Sequence, residues 1–425
     1  MAPRFGAVEI AAIALAWLMG SAAPTRAQEA DTLRLADVVA AVRSTNPTLQ
    51  AARFRVDAAQ ERVRPAGALP DPVLSLGLMN RPVSDFGRTD VQMTMNVVQL
   101  TQGVPWPGSL GFEEERMGHL ASADSLDAVE LETALVSRVT SVYVQLAYLD
   151  RAIAVMETTR DLLRDFRQVS EARYAVAEGI QQDILQAQVS VARMTADITV
   201  SVQERLATAA RLNGLMGRPA TLPVPAVQLA APGPDLPDVE ALMAEAARNR
   251  PAFGAARERA LAAEASYRQA QRDAYPDFMF TLGYGQRPDF VDLATLMVGV
   301  SLPVFAGSKQ GRRKDERRAI QSMEEARELD LHNETYARLA ELRAHAERAR
   351  SLSELYRTSI LPQARAAVEA ALSAYQVGNV DYLTLLTNQM TVNQFEVERI
   401  RLAAEYHQAV AGIEALTGRN GSYAQ

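Results

Sequence analysis

The chain carries few groups able to do covalent chemistry, and their spacing argues against a reaction. Cysteine is absent, which excludes thiolate nucleophiles, thiolate metal sites and disulfides. His119, His332, His345 and His407 lack the i, i+4 pairing of a helical metal site and read as exposed helix residues. The 14 methionines fall mostly at core positions of strand or helix patterns. "GYG" at 283–285 lacks the spacing of a phosphate loop, and no Ser-His-Asp or paired-carboxylate arrangement stands out. "RRKDERR" at 312–318 is strongly basic, but the net charge is −7 and the run follows a strand pattern and opens a helix. It reads as a solvated, salt-bridged helix start, with no nucleic-acid partner. The expectation is a non-enzyme without cofactor or metal. One polar group stands apart: Asp381, Tyr382 and Thr384 in "VGNVDYLTLL" put an acid beside an aromatic ring. Asp381 is suited to cap the helix that follows.

That group lies in a repeat. "ARYAVAEGIQQDILQAQ" (172–188) returns as "SAYQVGNVDYLTLLTNQ" (373–389), with Tyr174 and Tyr375, Val176 and Val377, Leu185 and Leu386, Gln188 and Gln389 in step. The duplication extends outward in preserved order. "LNGLMG" (212–217) is answered by "IEALTG" (413–418), "NPTLQAAR" (46–53) by "RPAFGAAR" (250–257) and "PDPVLSLG" (70–77) by "PDFMFTLG" (276–283). Residues 28–217 and 238–418 are therefore two homologous halves. A proline-rich linker, 218–237, joins them, and 419–425 form a C-terminal tail.

Each half begins with a helix (roughly 34–65 and 238–273) and continues with two alternating segments. Strands are expected at about 73–79 and 91–102, then 278–285 and 293–303. Leu74 and Leu76 oppose Ser75 and Gly77; Val91, Met93, Met95 and Val97 oppose Gln92, Thr94 and Asn96. Phe278, Phe280 and Leu282 oppose Thr281 and Gly283, and Val298 and Val300 oppose Gly299 and Ser301. Apolar residues on one face and small or polar ones on the other suit membrane β-strands between lipid and lumen. A half-buried sheet of a soluble protein alternates in the same way.

Helical hairpins follow, about 110–217 and 308–418. Leu135, Val139, Val142, Leu146, Leu149, Ile153 and Met156 step by fours and threes, the seam of a coiled coil. Leu339, Leu342, Ala346, Ala349, Ser353, Tyr356 and Ile360 form the matching seam with smaller residues. The first helix would run roughly 90 Å at ~1.5 Å per residue, so it must project. The repeated stretch then lies at the hairpin tip, where Gly179 and Gly378 permit the reversal.

The N-terminus has the plan of a cleaved export signal: Arg4, an apolar run from Ile10 to Met19, and small residues before Gln28. Residues 1–27 are expected to be a signal peptide cut after Ala27, with Ala23 the alternative. No later apolar run is long enough for a membrane helix. The missing cysteine leaves nothing for an N-terminal lipid anchor.

The order of elements, the paired "Y-x-V…L…Q" tips, the "L-x-G" helix ends and "SLPVFAGSKQGRRKDE" together resemble the outer-membrane efflux proteins, the TolC-like channels. The resemblance spans both halves. It implies a mainly α fold with a membrane β part, in which three chains of four strands close a twelve-stranded barrel above an α-helical tunnel. It implies a passive conduit for small molecules or metal cations, a homotrimer in outer-membrane lipid. Its partners would be a periplasmic adaptor and an inner-membrane pump of the proton-driven type. Type I protein secretion is an alternative, and a soluble periplasmic coiled-coil scaffold another. The tips would meet the adaptor, which makes Tyr174, Glu178, Gly179, Gln181, Tyr375 and Gly378 candidate contacts. Asp381, Tyr382 and Thr384 become the candidate entrance gate, with Asp381 either in a pore ring or only a cap. "PWPG" at 105–108 resembles the heavy-metal branch, but Ser109 follows where a basic residue is usual.

Overall fold

A computed structural model describes residues 33–419. The expected signal peptide, and all of the tail after Arg419, lie outside the described residues. Two short helices open the chain, α1 (Leu35–Thr45) and α2 (Pro47–Glu61), with a turn of helix, α3 (Val63–Ala66), behind them. Asn46 caps α2 by accepting the N–H groups of Thr48 and Leu49, with Pro47 at the first position. Strands β1 (Val73–Met79) and β2 (Met95–Val104) follow, then helices α4 (Ser109–Ala175) and α5 (Gln181–Leu215). The second half repeats this with α6 (Val239–Asn249), α7 (Pro251–Arg272), β3 (Asp277–Gln286) and β4 (Leu293–Ser301). Its long arm is α8 (Gln310–Leu355), a π-helical turn (Tyr356–Ile360) and α9 (Leu361–Gln376), and α10 (Tyr382–Thr417) returns.

The 67 residues of α4 make it about 100 Å long at ~1.5 Å per residue. Its seam is buried at Leu135, Val139, Val142, Leu146, Leu149 and Met156. The second arm buries Leu339, Ala346, Ala349 and Ser353, then widens into the π-helical turn where the seam reaches Tyr356. The halves interlock: α4 packs along α7 of the other half as well as along its own partner α5. Small residues allow that approach, since α7 buries Ala255, Ala262, Ala263, Ala265, Ser266 and Ala270.

The four strands form one antiparallel sheet in the order β1-β2-β3-β4. Directly paired residues share a face. Leu74 pairs with Leu100 and Leu76 with Val98; Leu100 pairs with Leu282 and Val98 with Tyr284. Phe278 pairs with Val300, Phe280 with Val298 and Leu282 with Leu296. One face is thus broadly apolar and exposed. The other carries Ser75, Gly77, Gln99, Thr101, Thr281, Gly283 and Thr295. Phe278 is partly covered by Trp106, whose ring lies 5.9 Å away.

Here one expectation is corrected. β2 begins at Met95, so Met93 precedes the strand, and Met95 faces inward, buried over Gly285. The outward residues are Val98 and Leu100. Val97 and Val98 are adjacent apolar residues, so either parity satisfies the local pattern, and the register with β1 and β3 decides between them. The reversal at the first tip is also made differently. The left-handed residue there is Ala177 (φ 60°), at the place of Gly378 (φ 79°). Gly179 is required instead by close approach, because a Cβ would stand 3.0 Å from the Tyr174 backbone nitrogen.

The repeat symmetry is sharpest where each return helix ends. Gly217 (φ 66°) lies against the carbonyl of Thr45 at the end of α1, and Gly418 (φ 71°) against that of Asn249 at the end of α6. A Cβ at Gly418 would meet the Asn249 oxygen at 2.5 Å. Gly418→Ala should therefore cost at least about 1–2 kcal/mol from the left-handed conformation alone. Gly111→Ala, with open space around it in α4, should stabilise by about 0.5–1 kcal/mol. Denaturant midpoints of the two variants against the parent chain check both signs.

Candidate functional site: the paired hairpin tips

The two tips lie side by side at the end far from the sheet. Ala152, Met156, Leu163, Phe166, Ala187, Met194, Val368, Ala371 and Leu385 from all four arms form one buried cluster that reaches up to the turns. Each turn closes with paired backbone bonds. Glu178 N–H and Gly179 N–H both donate to Arg173 O at 2.9 and 3.1 Å, and Asn379 N–H donates to Ala374 O at 2.9 Å. The return helices start differently. Asp381 caps α10, its carboxylate accepting the N–H of Thr384 at 2.9 Å as well as the Thr384 hydroxyl. Ile180, in the same place before α5, offers no side-chain cap.

A polar lock joins the tips beneath the turns. Arg173 of α4 lies 4.7 Å from the Tyr375 ring centroid; its guanidinium donates to the carbonyl of Tyr375 and, at 3.1 Å, to that of Glu178. The Tyr375 hydroxyl meets Ser170 Oγ at 3.2 Å and donates weakly to Asp183 Oδ2 at 3.5 Å. Tyr382 stands edge-on to Tyr375 with centroids 5.9 Å apart. Burial pushes the Asp183 carboxyl above its ordinary 3.8, only partly offset by the Tyr375 hydroxyl and Arg173. Asp381 behaves oppositely, held below the ordinary value by the Thr384 side chain and N–H. Burial, with Tyr375 and Asp183 nearby, pushes the Tyr382 phenol up to about 12.

The sequence-based assignments divide accordingly. Tyr174, Glu178, Gln181, Gly378, Asp381 and Thr384 lie on the exposed surface of the tips. Tyr375 and Tyr382 do not: they are 2% and 0% exposed, packed between the hairpins of one chain. Neither ring is free to touch an adaptor or to line an entrance. Helix phase decides where a tyrosine points, and here it sends both Tyr375, near the end of α9, and Tyr382, at the start of α10, into the cluster. Ser170, Arg173 and Asp183, which hold the tips together, carry no local signal because their partners lie about two hundred residues away. The histidines are also more engaged than expected. His119 Nδ1 lies 2.7 Å from Glu258 Oε2, and His407 Nε2 lies 3.1 Å from Ala230 O.

Two projecting hairpins per chain, joined at their tips and hung from an open sheet with one apolar face, define a channel of the TolC-like fold. The sequence profile described as outer membrane efflux protein matches residues 38–218 and 242–419, and the chain belongs to that family. Among curated proteins no sequence match is significant. Solved structures agree on the fold. The outer-membrane channel OprN superposes with TM-score 0.80 at 20% identity, covering 91% of this chain and 90% of that one. CusC, solved in a study of folding and transmembrane channel formation, gives 0.80 at 15% over 92% and 93%. The outer membrane protein VceC from Vibrio cholerae gives 0.77 at 17% over 91% and 96%.

The lock makes two predictions. The Tyr382 hydroxyl is buried without a hydrogen-bond partner among the described residues. Tyr382→Phe should therefore be neutral or stabilising, whereas Tyr382→Ala should cost about 3–5 kcal/mol. Thermal unfolding separates the two. Because folding raises the Asp183 pKa, its contribution to stability is full below the ordinary value of 3.8 and is lost as pH rises through the higher folded value. Amide exchange at 170–185 should thus quicken with pH beyond its intrinsic rise over that window, and Asp183→Asn should flatten the excess.

Proposed function

We propose that three copies of this chain close a twelve-stranded barrel in the outer membrane and a helical tunnel beneath it. The observation that carries this is the open sheet. β1 and β4 each present an unpaired edge, and lipid tolerates no open edge, while four strands are too few to close on themselves. Leu76, Leu282, Leu296 and Val298, 58–77% exposed, would meet lipid on one face, with Gln99, Thr101 and Thr281 toward the lumen on the other. The assembled protein is a passive conduit without chemistry of its own, for small molecules or metal cations. An inner-membrane pump of the proton-driven type supplies the energy, and a periplasmic adaptor joins the two. The chain reaches its place by a cleaved signal peptide. Type I secretion uses the same architecture and is separated from efflux by its cargo.

The adaptor would seat on the exposed tip residues Tyr174, Val176, Ile180 and Val377, with Glu178, Gln181 and Gly378 around them. Asp381 serves both readings left open by the sequence. One face of its carboxylate caps α10, and the group remains on the surface and charged at neutral pH. Three such groups around one entrance would attract cations. Single-channel recording of the assembled protein tests this: Asp381→Asn should weaken cation block, and unchanged block would leave Asp381 as a cap alone.

The barrel is tested on the sheet. Leu282→Arg should cost on the order of 2–4 kcal/mol in the bilayer and reduce the yield of folded trimer, while Gln99→Arg on the opposite face should assemble normally. Equal loss from both faces, or a monomer that conducts, overturns the proposal.

A further inference from the structure

The basic run set aside as a salt-bridged helix start makes a single ion pair among the described residues. Between residues 309 and 318 stand six cations and only two carboxylates, in a chain of net charge −7. Both lysines of the entire sequence, Lys309 and Lys314, are here. Arg313 pairs with Asp273 at 3.2 Å, but Lys309, Arg312, Lys314 and Arg318 make no ion pair among the described residues and are exposed. No acid stands in the first turn of α8, where the helix dipole already disfavours cations. The matching start of α4 is built the other way. Its Glu113 and Glu115 pair with Arg116 and Arg268, and of the run only Arg317 is near enough to Glu113 to act on its charge.

A second observation fixes what the cations face. The apolar side of β4 does not stop where the strand ends. Leu302, Val304 and Phe305 continue it, 67%, 78% and 70% exposed. The chain then turns back on itself: Lys309 N–H donates to Phe305 O at 2.9 Å and Gly311 N–H to Ala306 O at 2.7 Å. An exposed apolar knuckle and a cationic turn therefore sit against each other at the end of the sheet nearest the helices. At the same end Trp106 stacks on Tyr275 with centroids 5.0 Å apart, the residue types that favour a membrane–water boundary.

We infer that Lys309, Arg312, Lys314 and Arg318, beside Leu302, Val304 and Phe305, form a binding surface for anionic phospholipid headgroups in the leaflet facing the helical body. The apolar knuckle enters the acyl region and the cations take the phosphates just outside it. This rests on the sheet lying in a membrane, as proposed above. Each basic residue near an anionic surface is worth roughly fivefold in binding, so the four together favour anionic over neutral lipid by on the order of a hundredfold or more.

The test uses the full chain inserted into vesicles of mixed phosphatidylcholine and phosphatidylglycerol, extracted in mild detergent, with retained lipid counted by mass spectrometry. The parent protein should retain phosphatidylglycerol preferentially, and high salt should erase the preference. Lys309→Gln with Arg312→Gln, Lys314→Gln and Arg318→Gln should insert equally well and lose it. Lys309→Arg with Lys314→Arg, which keeps the charge, should retain it. Glycerol phosphate in solution should not compete; if it does, the site takes a free anion and the lipid assignment is wrong. Normal insertion with equal retention by parent and glutamine variant overturns this inference alone. Failure of the parent to enter vesicles of any composition overturns the membrane sheet and the lipid surface together.

Discussion

The architecture depends on how closely two long helices can approach. α4 belongs to the first half and α7 to the second, and they lie along each other because α7 turns alanine and serine toward α4. Polar groups at the margins of that contact come within reach. Arg250 meets Glu130, Arg259 meets Asp127, Arg268 meets Glu115, and His119 meets Glu258. Such partly exposed pairs add little stability one by one, but they fix the axial register of one helix on the other. Once that register is set, β2 leaves for α4 and α7 leads into β3 at the same level, so strands from different halves can pair. The tips are aligned by the same registration at the opposite end. The repeats therefore do not form two domains; each completes the other.

Alanine content and seam spacing made this helical part legible in the sequence, because the period is long and each turn repeats the same constraint. The strands were readable in number and in three of four phases. β2 failed at Val97 and Val98, where two neighbouring apolar residues erase parity and only a partner strand restores it. The tips were legible as turns and illegible as a site. Ser170, Arg173, Asp183 and Tyr375 meet through contacts between halves, and a single sequence records no such pairing. The reading of Tyr382 as surface failed for a related reason: an aromatic beside an acid looks like a functional pair, but successive helix residues point about 100° apart, so Asp381 stays out and Tyr382 goes in.

Duplication has left the halves similar in plan and different in local chemistry. One return helix has an aspartate cap and the other has none; one tip turns on a glycine and the other on an alanine. One long helix opens with engaged glutamates and the other with cations of which, among the described residues, Arg313 alone forms an ion pair. The shared features are those that backbone geometry demands, as with the left-handed glycines beside the ends of α1 and α6. The differing features lie at surfaces, where packing leaves residue choice free.

The two long arms also differ as mechanical members. α4 is continuous over 67 residues, with an unbroken ladder from sheet to tip. Its counterpart is interrupted at Tyr356–Ile360, where Leu361 N–H reaches back to Tyr356 O across a widened turn and Pro362 brings no N–H of its own. Under an axial or bending load, the first arm acts as the strut that keeps the length of the body constant. The second has its softest cross-section at that turn, so a force applied at the tips would be taken up there, well below the sheet, and the sheet would feel little of it.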